Sequence, residues 1–176
     1  LNLKFLPLPE GELEGVGAET STPPRLPFVR GGTSYLVMEA IALQTYAKLE
    51  SYYWWWVGRR AVIASLMAKH FAGRTDLQIL DWGCGPGGNF PVLAQYGSVL
   101  GVDASPEALR FCREAGHSNV RPAGTVAEFL AAYPERNFDL ITVFDGVEHI
   151  EGDVQFLREL QQLLKPGGRL LITVPA

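Results

Sequence analysis

Two patterns of apolar and polar positions divide the chain. Residues 1–34 carry neither a helical nor a strand period, and they hold five of the twelve prolines and five of the nineteen glycines. Such a stretch reads as an extended N-terminal arm, with Leu3, Phe5, Leu6 and Leu8 available to pack on a neighbour. From Tyr35 the apolar positions recur at helical spacing, over 35–49 and 53–71, with Gly73 as a stop. Residues 35–73 are therefore expected to form a helical lid, and 74–176 the core.

Beyond residue 74 the period alternates. LQILDW (77–82), SVLGVD (98–103), FDLITVF (138–144) and RLLITV (169–174) read as strands, and SNVRPA (118–123) as a weaker one. Helices are predicted between them. One spans 88–96, closed by Gly97. A second is opened by Ser105-Pro106 as cap and first-turn proline, and ended by Gly116. A short one covers 126–132, and a fourth covers 153–164, halted by Lys165-Pro166-Gly167-Gly168. Strands alternating with helices imply an α/β fold, a mainly parallel sheet covered on both faces.

Composition narrows the function classes. The chain has 176 residues, 47% of them hydrophobic, enough for one domain core. A formal charge of −4 disfavours a nucleic-acid or anionic-membrane binder. Cys84 and Cys112 lie 28 residues apart, which is neither a zinc spacing nor a disulfide framework, so no metal is expected. No apolar run approaches the roughly 20 residues of a membrane span, and a reduced, cytoplasmic setting is the default.

The turn after the first strand is DWGCGPGGN (81–89). Gly83, Gly85 and Gly88 fit G-x-G-x-x-G, and Asp103 follows Gly83 by 20 residues. Glycines there let backbone approach a ligand, and an acid ending the second strand can grip ribose hydroxyls. Removing the Asp103 carboxylate is then expected to cost binding rather than folding. Asp81 discriminates among ligands. A pyrophosphate at a helix N-terminus is anionic and would be repelled by this carboxylate. A ligand carrying an ammonium or sulfonium would not.

ILDWGCGPG, GVDAS (101–105), FDLITVFDGVEHIEGD (138–153) and LLKPGGRLLITVP (163–175) together resemble, in order and spacing, the motifs of the class I S-adenosylmethionine-dependent methyltransferases. Trp82 and Pro86 depart from the usual small and hydroxyl residues without disturbing the loop. The resemblance implies a Rossmann-like three-layer sandwich and S-adenosyl-L-methionine as cofactor. It places Gly83 and Gly85 at the methionine part by backbone, Asp81 at its ammonium, Asp103 at the ribose, and Ala104 at the adenosine. Thr125 and Val126, in AGTVAEF, would edge the adenine. Thr125 stands where relatives often carry an acid, and its alternative role is a helix cap.

LESYYWWWVGRR (49–60) resembles the E-x-x-H-W-W-F-x-x-R element of a bacterial subfamily related to the ubiquinone-pathway O-methyltransferases. Glu50, Trp54, Trp55 and Arg59 match, while Tyr53 and Trp56 replace the histidine and phenylalanine. At least half of the rings are expected to brace the lid, with one or two, Trp54 among them, facing a sulfonium by cation–π contact. Arg59 is a candidate partner of the methionine carboxylate, the alternative being a solvated arginine.

In this reading Asp145, Glu148 and His149 follow the fourth strand at the ligand edge. Asp145 shapes the methionine pocket. His149 is the candidate general base for a hydroxyl acceptor, its alternative being a structural Glu-His element beside the cofactor. His70 and His117 are expected at the surface, and Cys84 packed within the loop. The family usually continues beyond the fifth strand. The end at Ala176 is therefore read as a fragment lacking its C-terminal strands, with cover by the arm or pairing of two chains at that edge as the other readings. Three functions stay open: methyl transfer to the oxygen or nitrogen of a small molecule, a non-catalytic cofactor-binding module, and a nicotinamide oxidoreductase that Asp81 argues against.

Overall fold

A computed structural model describes residue 45 and residues 48–50, 52–134 and 137–174. The expected arm over 1–34, and most of the expected helix over 35–49, lie outside the described residues.

Helix α1 (Trp54–His70) ends where Gly73 turns the chain at φ 73°. Five strands follow with helices between them: β1 (Leu77–Trp82), α2 (Phe90–Leu93), β2 (Gly97–Asp103), α3 (Pro106–Glu114), β3 (Val120–Pro122), α4 (Val126–Ala132), β4 (Phe138–Phe144), α5 (Asp153–Gln161) and β5 (Leu164–Thr173). A single 3₁₀ turn, Val147–His149, lies between β4 and α5. The sheet is wholly parallel, in the order β3-β2-β1-β4-β5. The chain winds outward from β1 to β3, then returns to lay β4 on the other side of β1. That reversal sets the carboxyl ends of β1 and β4 side by side at the switch point, where open parallel sheets hold ligands in a crevice beyond the strand ends.

Alternation along the strands sorts the core into two layers. Leu80 and Trp82 of β1, with Ile141 and Val143 of β4, meet Phe129 of α4 and Phe156 of α5 on one face. Trp82 sets its ring edgewise on both phenylalanines, which gives this large residue a specific place in the core. On the opposite face Ile79, Leu140 and Phe144 pack against Ile63 and Met67 of α1. Asp81 and Thr142 fall on that second face by the same period.

Two elements differ from the sequence pattern. The helix expected over 88–96 contracts to Phe90–Leu93, because β2 already starts at Gly97 and Leu77 N–H bonds to Tyr96 O. A side chain at Gly97 would strike the Leu77 backbone, so the strand entry demands glycine. The second difference is β5, which begins at Leu164 opposite Phe138, bulges through the Pro-Gly-Gly segment, and resumes with Arg169 opposite Leu140. The segment expected to end a helix is thus a bulge in a strand.

Candidate functional site

The glycine loop springs from β1 into the crevice. Gly83, Gly85 and Gly87 have φ of 72°, 55° and 91°, which other residues adopt at a cost. A Cβ built on Gly83 or Gly85 meets nothing within 4 Å, so backbone conformation, not crowding, selects glycine there, and the loop backbone faces open space. Gly83 and Cys84 both donate their N–H to Val102 O, at 2.7 and 3.0 Å. From beneath, Cys112 Sγ donates to Gly85 O at 3.1 Å, and Cys84 is buried beside it, as expected for a packed thiol.

Asp103 ends β2 and clamps this loop. Its Oδ2 accepts the Gly85 N–H at 2.9 Å, and its Oδ1 accepts the Ser105 N–H at 2.8 Å. Burial nevertheless raises its pKa above the ordinary carboxylate value. Ala104, the next residue, is exposed at the crevice.

Asp81 is 1% exposed at the end of β1. Thr142, its register partner on β4, donates Oγ1–H to Oδ1 at 2.6 Å. The other oxygen, Oδ2, is buried with no hydrogen-bond partner. Burial lifts the carboxyl pKa to about 7 against the pull of Thr142 and of the Arg59 charge, with Asp103 and Glu50 pushing it further up.

Asp145 follows β4 in a left-handed conformation, φ 51°, rare for a residue with a side chain. It is held from two sides. Its N–H donates to Thr173 O at 2.9 Å and its Oδ1 accepts from Thr173 Oγ1 at 2.7 Å, while Oδ2 pairs with the Arg59 guanidinium. Arg59, expected at a ligand carboxylate, is paired through one guanidinium nitrogen with a carboxylate of the protein. Its Nε is buried and has no hydrogen-bond partner. Two buried unsatisfied atoms, an acceptor on Asp81 and a donor on Arg59, thus belong to one electrostatic neighbourhood.

The aromatic run resolves residue by residue. Trp56 is the brace, 7% exposed, with Tyr53 edgewise at 5.4 Å. Trp54, expected to face the ligand, is 59% exposed beside the rings of Tyr53 and Trp55, because helical rotation turns position 54 away from the face that carries Ile63 and Met67. Thr125 caps α4 in a full capping box: Oγ1 accepts from Glu128 N–H at 3.0 Å, and Glu128 returns a bond to the Thr125 N–H. Val126, expected to edge the adenine, is buried in the same core layer as Phe129 and Phe156. His149 lies half-buried in the 3₁₀ turn after Asp145, its Nε2 3.8 Å from Glu148 Oε1. His117 is not the surface residue expected: it is half-buried with its ring against Phe90 at 4.7 Å. His70 is exposed as expected.

Three further residues reach the candidate site without a sequence signal for it. Thr142 and Thr173 were visible only as polar residues inside apolar strands. Glu50 stood in a matched motif with no task, and its carboxylate lies on Gly88 of the loop.

The chain matches the family described as "Methyltransferase domain" over residues 80–172, more than half its length. It is 34% identical over 107 residues to the ubiquinone biosynthesis O-methyltransferase of Leptothrix cholodnii, covering 57% of this chain and 46% of that protein. The chain thus spans about half the length of the curated relatives it matches. Among solved structures, YcgJ of Bacillus subtilis is 31% identical with a TM-score of 0.51, covering 62% of this chain and 48% of that one. A candidate S-adenosyl-L-methionine-dependent methyltransferase of Methanococcus maripaludis is 24% identical, TM-score 0.60, covering 76% and 63%, and shares the fold.

Proposed function

The chain belongs to the methyltransferase-domain family, and on that premise we propose that it binds S-adenosyl-L-methionine in the β1–β4 crevice and methylates an oxygen or nitrogen of a small-molecule acceptor. One observation carries the reading. Asp81 Oδ2 is a buried acceptor without a donor, and Arg59 Nε a buried donor without an acceptor. Leaving such atoms unpaired costs about 1–3 kcal/mol each. An α-amino acid group satisfies both, ammonium to Asp81 and carboxylate to Arg59. A pyrophosphate satisfies only the second and is repelled by the first, which counts against a nicotinamide cofactor.

The bound cofactor supplies a methyl group already activated on sulfur. The residues of this chain orient and shield it. Asp81 and Arg59 hold the amino acid end, Gly83 and Gly85 admit it by backbone, and Asp103 fixes the loop while presenting its carboxylate edge to ribose hydroxyls. Ala104 leaves room for the adenosine. Helix α1 shields the site from water, with Trp56 buried on it. His149 accepts the proton of a hydroxyl acceptor, in keeping with relatives named as O-methyltransferases. The net charge of −4 favours a small acceptor over nucleic acid. No described helix is long and apolar enough to cross a membrane, which fits a cytoplasmic role. A homodimer would pair along β5, which neighbours only β4 among the described residues.

The test is transfer of a labelled methyl group from S-adenosyl-L-methionine to a panel of phenols, sugars, carboxylates and amines. Labelled product with S-adenosylhomocysteine release is expected. Tight cofactor binding without transfer to any acceptor would instead favour a non-catalytic module.

A further inference from the structure

Gly88 is the third glycine of the loop. In dinucleotide folds this position lets helix and strand pack closely. Here a different group occupies the space. A Cβ built on Gly88 would lie 2.7 Å from Cδ and 3.1 Å from Oε1 of Glu50, and closer still to Oε2. The Glu50 carboxylate also accepts a hydrogen bond from the Gly88 backbone. Glu50 comes from the turn that leads into α1, 38 residues before the glycine. The Arg59 and Arg60 charges partly offset the cost of burying it.

We propose that Glu50 is a positioning residue for the cofactor loop: its carboxylate fills the volume of the missing Gly88 side chain, holds the Gly88 N–H, and ties the approach to α1 onto the loop. The loop has two restraints of this kind. Asp103 holds Gly85 from the β2 side, and Glu50 holds Gly88 from the lid side. Gly83 and Gly85 stay open to a ligand while Gly88 is filled by the protein itself. The loop is therefore shaped before the cofactor arrives, and the lid segment is registered against it.

The inference rests on the cofactor reading only for its affinity readout, so two measurements are paired. The first is amide hydrogen exchange in the ligand-free chain. Glu50→Ala should speed exchange at Gly88 about tenfold, as for loss of one charge-assisted hydrogen bond, while Glu50→Gln, whose amide oxygen still accepts, should keep most of the protection. The second is calorimetric titration with S-adenosylhomocysteine. Glu50→Ala and Gly88→Ala should each weaken binding about tenfold, and the double variant should bind no worse than Gly88→Ala alone, because the added methyl already evicts the carboxylate. Glu50→Gln should bind within about threefold of wild type. Unchanged exchange at Gly88 in Glu50→Ala, or losses that add in the double variant, would overturn the assignment. A wild-type chain that ignores S-adenosylhomocysteine would sink the cofactor reading, and the exchange arm would still decide the role of Glu50.

Discussion

Asp81 is a carboxylate where water does not reach, and its chemistry is set by that fact. Its folded pKa, about 7, lies above the ordinary 3.8. Between those values the folded chain holds a proton that the unfolded chain has released. Its contribution to stability is therefore full below about pH 4 and is lost as pH rises through about 7. Asp103 and Glu50 shift in the same direction. Asp81→Asn should remove this dependence. In urea melts of the ligand-free chain at pH 8 it should raise stability by on the order of 2 kcal/mol, the linkage gain less the cost of an unpaired amide. The same variant should bind S-adenosylhomocysteine poorly. Because Asp103 accepts two backbone N–H groups, Asp103→Ala should cost about 1–3 kcal/mol of stability as well as affinity, a double loss that melts and titration would separate.

At the scale of the element, the aromatic run divides into load and surface by helical rotation. Trp56→Leu should destabilise by about 2–4 kcal/mol through the cavity it leaves. Trp54→Leu should stay within about 0.5 kcal/mol. Thr125→Ala should cost about 1 kcal/mol through its lost cap, with S-adenosylhomocysteine affinity unchanged, which denaturant melts and titration would check. Most elements were legible because their signals are local. β1 shows as the apolar run LQILDW, α3 by Ser105-Pro106 and Gly116, and α4 by Thr125 as a possible cap. What could not be read is set by neighbours in space. The contraction of α2 is imposed by pairing of Gly97 with Leu77. The bulge in β5 is imposed by register against β4, whereas Lys-Pro-Gly-Gly by itself reads as a stop.

Across the whole molecule, strand order β3-β2-β1-β4-β5 does the assembling. It gathers three strand-end acids, Asp81, Asp103 and Asp145, around one crevice. Each acid is visible at its strand end in the amino-acid sequence, which is local information. Their partners are not visible there, because Arg59 and Asp145 are 86 residues apart, and Thr142 and Asp81 are 61. Pairing over such distances follows from topology and register, not from any local pattern. Ligand binding should in turn be felt globally: S-adenosylhomocysteine at 100 times its dissociation constant should stabilise the chain by about 2.7 kcal/mol.

On the proposed function, Asp81 and Arg59 receive the two ends of an amino acid. The most direct test is calorimetric titration at pH 8 with S-adenosylhomocysteine and with 5′-methylthioadenosine, which keeps the nucleoside and lacks the amino acid. At least about a hundredfold preference for the former is expected, as two charge-assisted contacts allow, and it should collapse in Asp81→Asn. Equal affinity for the two, or an unaltered preference in Asp81→Asn, would contradict it.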